Sequence, residues 1–185
     1  APGADAAAIQ AAINSAVAAG SRAVVHIPEG NYAIATTLTI PANANIQVIG
    51  DGQQSSLNWS GAGAGPVLKV IGPTHTVLRD FRVSGADVAD AIVVAQPDQA
   101  GSRVYLNQVQ LGGASVANLH VSGVDKLLVD ARDIGHAFAA ATSVVVAGGP
   151  LAASGSTSST ARVNIFSGAS CCVNGSAYKI GRAHV

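Results

Sequence analysis

The stretch Ser21 to Gly52 reads SRAVVHIPEGNYAIATTLTIPANANIQVIGDG, and two short apolar runs inside it decide the fold. Val24-Val25-His26-Ile27 precedes Pro28-Glu29-Gly30, and Ile46-Gln47-Val48-Ile49 precedes Gly50-Asp51-Gly52. The second run begins 22 residues after the first, and the same step leads to Leu68-Lys69-Val70-Ile71 before Gly72-Pro73. This spacing sets Val24, Ile46 and Leu68 in one column and Ile27, Ile49, Ile71 and Val93 in another. β-branched residues recurring at a fixed period of this length mark a solenoid, in which each repeat buries its apolar side against its neighbours. The expected architecture is a coil of short parallel strands wound about one apolar column.

Composition agrees. The chain has 185 residues, enough for one domain, with 10 Lys+Arg against 10 Asp+Glu and only 11% charged residues. Nucleic acid and anionic membrane surfaces are poor partners for so neutral a chain, since both demand a basic excess. Met is absent and aromatics are 4%, which suits a narrow tube lined by Val, Ile, Leu and Ala. No apolar run approaches the ~20 residues that span a bilayer, so no membrane insertion is expected. The chain opens on Ala1 without a leader pattern, the expectation being a processed or truncated start. Adjacent Cys171 and Cys172 read as two thiols, because a disulfide between neighbours closes only a strained small ring. Ile180 to Val185 resembles the translation of a sequencing-library adapter. The expected organisation is one domain over residues 1–179 with a non-native tail over 180–185, and natural sequence that continues beyond Lys179.

Residues 5–20 read as a helix, with Asp5 as its cap, Ile9, Ile13 and Val17 on one stripe, and Gly20 at the C′ position. A solenoid's open end exposes strand edges and core, and this helix is expected to lie across it as a lid. Strands follow at Val24–Ile27, Leu38–Ile40, Ile46–Ile49, Leu57–Trp59, Val67–Ile71, Val77–Leu78, Phe81–Val83, Val93–Val94, Val104–Leu106, Val109–Leu111, Leu119–Val121 and Leu127–Val129. From Phe81 a second register appears, with a step of 23 that aligns Phe81 with Val104 and Leu127, and Val83 with Leu106 and Val129. The stretch after Val146 is looser, and Ser154 to Thr160 reads as a low-complexity loop.

Three segments together resemble a known family: AIQAAI (Ala8 to Ile13), VVHIPEGNY (Val24 to Tyr32) and LTIPANANIQVIGDG (Leu38 to Gly52). They are similar to the N-terminal part of pectate-lyase-superfamily proteins, and within these to the rhamnogalacturonase/epimerase-like pectate lyase domain. The resemblance implies an all-β fold, a right-handed single-stranded parallel β-helix with an N-terminal capping α-helix, of about five or six coils here. It also implies work on acidic, uronic-acid polysaccharide by lyase or hydrolase chemistry, in a secreted or periplasmic bacterial setting. Calcium enters by resemblance alone, and the sequence itself shows no metal ligand set. The polygalacturonase motifs have only Gly135-His136-Ala137 and Tyr178-Lys179-Ile180 as distant counterparts, and the epimerase Asp-Pro-His signature is absent.

The 23-residue register predicts outward columns Asp80, Arg103 and Lys126; Arg82, Tyr105 and Leu128; Ser84, Asn107 and Asp130. Arg82, Arg103, Tyr105 and Asn107 are therefore the expected substrate-binding set, because Arg forks a carboxylate and Tyr offers a flat apolar face with a polar edge. The bland account of the same residues is a surface ion pair between Asp80 and Arg103 and a side-chain ladder at Asn107. Asp130, His136 and Asp98 are candidate catalytic groups: His136 has carboxylate neighbours in sequence, and Asp98 lies in the Pro97–Gly101 loop. Each also has a plain role as a turn or strand residue. His26 and His120 read as packing or surface residues. Two other functions stay open: a non-catalytic glycan-binding β-helix of the tailspike, adhesin or surface-module kind, and a structural N-terminal segment of a longer enzyme.

Overall fold

The computed structural model describes residues 4–95 and 102–122, and beyond them the backbone of strand segments 127–132, 135–137, 142–147, 162–166 and 178–180. Asp98, Lys126, Asp133, Cys171 and Cys172 lie outside the described residues.

Helix α1 (Ala4–Ala19) comes first. Its buried residues Ala6, Ile9, Ile13 and Ala16 recur at helical spacing and face the first coil. Gly20 ends it at φ +82, with its N–H donating to the Val17 carbonyl, the left-handed C′ position that a side chain resists. Asp5 departs from its expected role: it sits within the helix, and its Oδ2 accepts the Ala33 N–H at 3.0 Å. Gln10 goes further. Its Oε1 accepts the Thr39 N–H at 2.7 Å while its Nε2 donates to the Thr39 carbonyl at 2.9 Å, so one side-chain amide replaces the peptide of a missing neighbouring strand. The helix is a lid, as its position in the sequence required.

The strands are β1 (Ala23–Ile27), β2 (Gly30–Ile34), β3 (Leu38–Ile40), β4 (Asn45–Gly50), β5 (Ser55–Trp59), β6 (Leu68–Ile71), β7 (His75–Ser84) and β8 (Ile92–Ala95). After them come β9 (Ser102–Gly112), β10 (Ala117–Ser122), β11 (Leu127–Arg132), β12 (Gly135–Ala137), β13 (Thr142–Ala147), β14 (Arg162–Phe166) and β15 (Tyr178–Ile180). They form two parallel sheets. One runs β1-β4-β7-β9-β11-β14 with β2, β5 and β12 along its flank, and the other runs β3-β6-β8-β10-β13-β15. Consecutive coils stack strand on strand in both, which makes the chain a parallel β-solenoid. Strand β2 was not expected, because GNYAI carries a single strong β-former run too short to stand out.

The columns differ from those the fixed periods predict. Ile46 stacks on Ala23, not on Val24, and Val24 points outward with 55% exposure. Leu68 stacks on Leu38 in the other sheet. The 23-residue register fails too: Val104 pairs with Thr76 and Val129, Phe81 with Val109, and Leu106 with Leu78 and Ala131. The physical reason lies at the corners. The first step, Ala23 to Ile46, is 23 residues, whereas Ile46 to Thr76 is 30 and Val129 to Val163 is 34. A period of 2 along each strand means that a slip of one residue reverses every side chain, so a column read at constant step drifts off its face.

The inward residues pack one core from α1 to β10, including Ile27, Ile34, Leu38, Ile46, Leu57, Leu78, Phe81, Ile92 and Leu106. Hydroxyls inside it are paired: Thr74 Oγ1 lies 2.7 Å from Thr76 Oγ1 and 3.1 Å from the Ala44 carbonyl, and Ser102 Oγ accepts the Thr74 N–H at 3.1 Å. No helix among the described residues is long and apolar enough to cross a membrane.

Candidate carbohydrate-binding face

Strand β9 sits mid-sheet with β7 on one side and β11 on the other, and its pleat decides what faces out. Val104 and Leu106 point into the core, so Arg103, Tyr105 and Asn107 point away from it. Their register neighbours on β7 are His75, Val77 and Arg79, and on β11 Leu128, Asp130 and Arg132. Adjacent strands lie about 4.8 Å apart, so the β7 and β9 positions form a close grid on one outer face, with the β11 backbone next in the sheet.

Three of the four expected binding residues therefore share one strand and one face. Arg82 does not join them. It lies beyond a bend in β7 and pairs with Gln110 and Ser56, while Arg79 takes the place beside Asn107. The strands pair one for one at the same 28-residue step on both sides of that bend, Arg79 with Asn107 and Phe81 with Val109, and Asp80 and Gln108 turn the chain there with left-handed φ of 60° and 52°. The burial pattern reads the same way, with Arg79-Asp80 and Asn107-Gln108 as consecutive outward pairs on neighbouring strands. Nothing in the local sequence marks the bend, since neither position carries the glycine that a left-handed backbone favours.

The predicted Asp80–Arg103 pair is replaced by another. Asp80 Oδ2 is 3.0 Å from Arg79 Nε within the same strand, with side-chain exposures of 28% and 48%. The register sets Asp130 beside Tyr105, not beneath Asn107, and His136 beside Leu111 on β12, so these two candidates occupy different strands of the sheet. Asp98 lies outside the described residues.

A further feature borders the face. His26 Nε2 lies 2.8 Å from Asp51 Oδ1, and Asp51 Oδ2 accepts the Glu29 N–H at 3.1 Å. The hydrogen bond from His26 is the main cause that holds the Asp51 carboxyl below its ordinary range, with the charge of His26 and the Glu29 N–H adding to it. Both side chains are about half exposed, at 54% and 47%. The pair fastens the short Gly52–Gln54 helical turn, which packs against β7 and reaches β9. His26 thus has a role that its apolar surroundings in sequence hid. On the other sheet, Asp90 Oδ1 accepts the N–H groups of Val116 and Ala117, and its Oδ2 lies 3.6 Å from His120 Nδ1.

Among the described residues no group of three or more His, Cys, Asp or Glu side chains converges on a point. Asp51 and Asp80, whose side chains are described, are engaged by His26 and Arg79.

Residues 3–67 match the family described as rhamnogalacturonase A/epimerase, pectate lyase-like. This stretch is pectate lyase-like. It spans the lid helix, the first two coils of the long sheet as far as β5, and the Gly52–Gln54 turn. The pectate lyase-like stretch ends before β7 and β9 begin, so the grid of Arg79, Arg103, Tyr105 and Asn107 lies wholly outside the match. No curated protein matches the chain.

Proposed function

We propose that this chain is a carbohydrate-active β-helix protein that takes acidic polysaccharide on the outer face of its long sheet. The observation that carries this is the outward row Arg103, Tyr105 and Asn107 on β9, in a solenoid whose start is pectate lyase-like. Guanidinium, phenol and amide suit a uronic-acid chain: Arg pairs with the carboxylate, Tyr covers an apolar ring face, and Asn offers both a donor and an acceptor to hydroxyls. Arg79, beside Asn107, adds a second guanidinium to the same face.

Asp130, beside Tyr105 in register, is the proposed general acid or base. Lyase chemistry would leave an unsaturated product that absorbs in the ultraviolet, whereas hydrolysis would release reducing ends without it.

Electrophoresis of the chain through gels containing polygalacturonate, alginate or neutral dextran tests the reading. Retardation in the uronate gels alone is expected, with a loss of about tenfold in apparent affinity for Arg103→Ala combined with Tyr105→Ala. Equal mobility in all three gels would remove the acidic-glycan assignment.

A further inference from the structure

The second sheet carries a polar cluster at the start of β8 and β10. Leu119 and Val121 of β10 belong to the core, so Asn118 and His120 leave the strand on its opposite side. Register sets His120 beside Val93 of β8 and, one step back along both strands, Asn118 beside Ala91, the neighbour of Asp90. Asp90 reaches from its own coil to the next one. Its Oδ1 accepts the N–H groups of Val116 and Ala117 at 3.1 and 2.9 Å, and its Oδ2 faces His120 Nδ1 at 3.6 Å. That separation is too long for a direct hydrogen bond. Asn118 is 0% exposed, and neither its Oδ1 nor its Nδ2 has a hydrogen-bond partner, which is true of no other buried side chain among the described residues. A buried amide with both ends unpaired is costly, and a bound ligand is one of the few things that offsets it.

We propose that Asp90 Oδ2, His120 Nδ1 and Asn118 Oδ1 form a site for one divalent transition-metal ion of the zinc kind. Nitrogen and oxygen ligands of a four-coordinate zinc ion lie about 2.0–2.2 Å from it, hence about 3.3–3.6 Å from one another, so the 3.6 Å between carboxylate and imidazole is a span that such an ion fills. Imidazole and carboxylate are donors that zinc takes, and the amide oxygen adds a neutral third. The two N–H groups on Asp90 Oδ1 fix the carboxylate and leave Oδ2 for the ion. Asp90 and His120 keep 16% and 30% exposure, which gives the ion a path in and leaves a fourth position for water. Asp90 precedes β8 while Asn118 and His120 lie on β10, so the ion staples two successive coils. The site is on the sheet away from Arg103 and Tyr105, and its test is independent of the glycan face.

Titration calorimetry of the chelator-treated full chain with zinc chloride tests this. Zinc is expected to bind, to raise the melting temperature by about 3 °C or more at saturation, and to lose that effect when chelator is added. His120→Gln and Asp90→Asn should each weaken binding at least about tenfold. Both should keep the wild-type circular dichroism, since His120 is partly exposed and Asp90→Asn retains an oxygen for the Val116 and Ala117 N–H groups. His26→Gln, which removes the exposed ring paired with Asp51, is the control and should bind zinc as the wild type does. Absence of zinc binding, binding that survives His120→Gln and Asp90→Asn, or binding lost in His26→Gln would each overturn the site. A measurement on the wild type decides the matter even where a variant fails to fold: zinc should shift the ring proton resonances of His120 before those of His26 and His75, and unmoved His120 resonances would overturn the assignment.

Discussion

Leu106 is 1% exposed and lies between Leu78 and Ala131 on successive coils. An aspartate there would place an unpaired carboxylate among methyl groups with no donor to receive it. Leu106→Asp is expected to cost more than about 3 kcal/mol and to abolish the cooperative thermal transition, as followed by circular dichroism; a melting curve like that of the wild type would contradict the observed register. The inward orientation of Leu106 was legible from alternation along the strand alone, as was that of Val104. Which residues stack above and below it was not, because the step from Leu78 is 28 residues and the step to Ala131 is 25, and no residue at the corners announces either length. The same hidden length explains why Arg82 was expected beside Tyr105, where Val77 stands, and why Arg79 was not expected beside Asn107.

At the scale of the element, α1 shows what periodicity captures and what it leaves out. Ile9 and Ile13 mark the buried stripe, and Gly20 marks its end, so the helix and its role as a lid are readable before any coordinates. Gln10 is not, since a polar residue beside an apolar stripe looks solvated until the edge of β3 arrives from 29 positions along the chain. Its two hydrogen bonds to Thr39 satisfy a strand edge that would otherwise present an unpaired N–H and carbonyl. Gln10→Ala should therefore destabilise the fold by about 1–2 kcal/mol. Amide hydrogen exchange gives the sharper check: the Thr39 N–H should lose its protection in that variant, while the Leu38 N–H, which donates to the Val67 carbonyl, keeps it. Unchanged protection at Thr39 would mean that the helix covers the edge without pairing to it.

For the whole molecule, stability rests on apolar columns and rung-to-rung hydrogen bonds. The three ion pairs described involve side chains that remain accessible to water, and charged residues are 11% of the chain. Raising NaCl to about 1 M should accordingly move the melting temperature by no more than about 2 °C, whereas retardation by polygalacturonate should largely disappear, because the contacts with Arg79 and Arg103 are screened. A large salt effect on melting would point to electrostatic support that the described residues do not contain. The parallel stacking and the class of fold were legible from the recurrence of Val and Ile. The length of each coil was not, since corners carry no common residue pattern.

Those unequal coils separate two properties that most folds tie together. Inserting residues at a corner lengthens the path of the chain but leaves the rise from one rung to the next fixed by backbone pairing. A polymer lying along the axis therefore meets contacts at constant intervals whatever is added at the edges, and each corner can change in length as an independent shutter over a ruler that does not move.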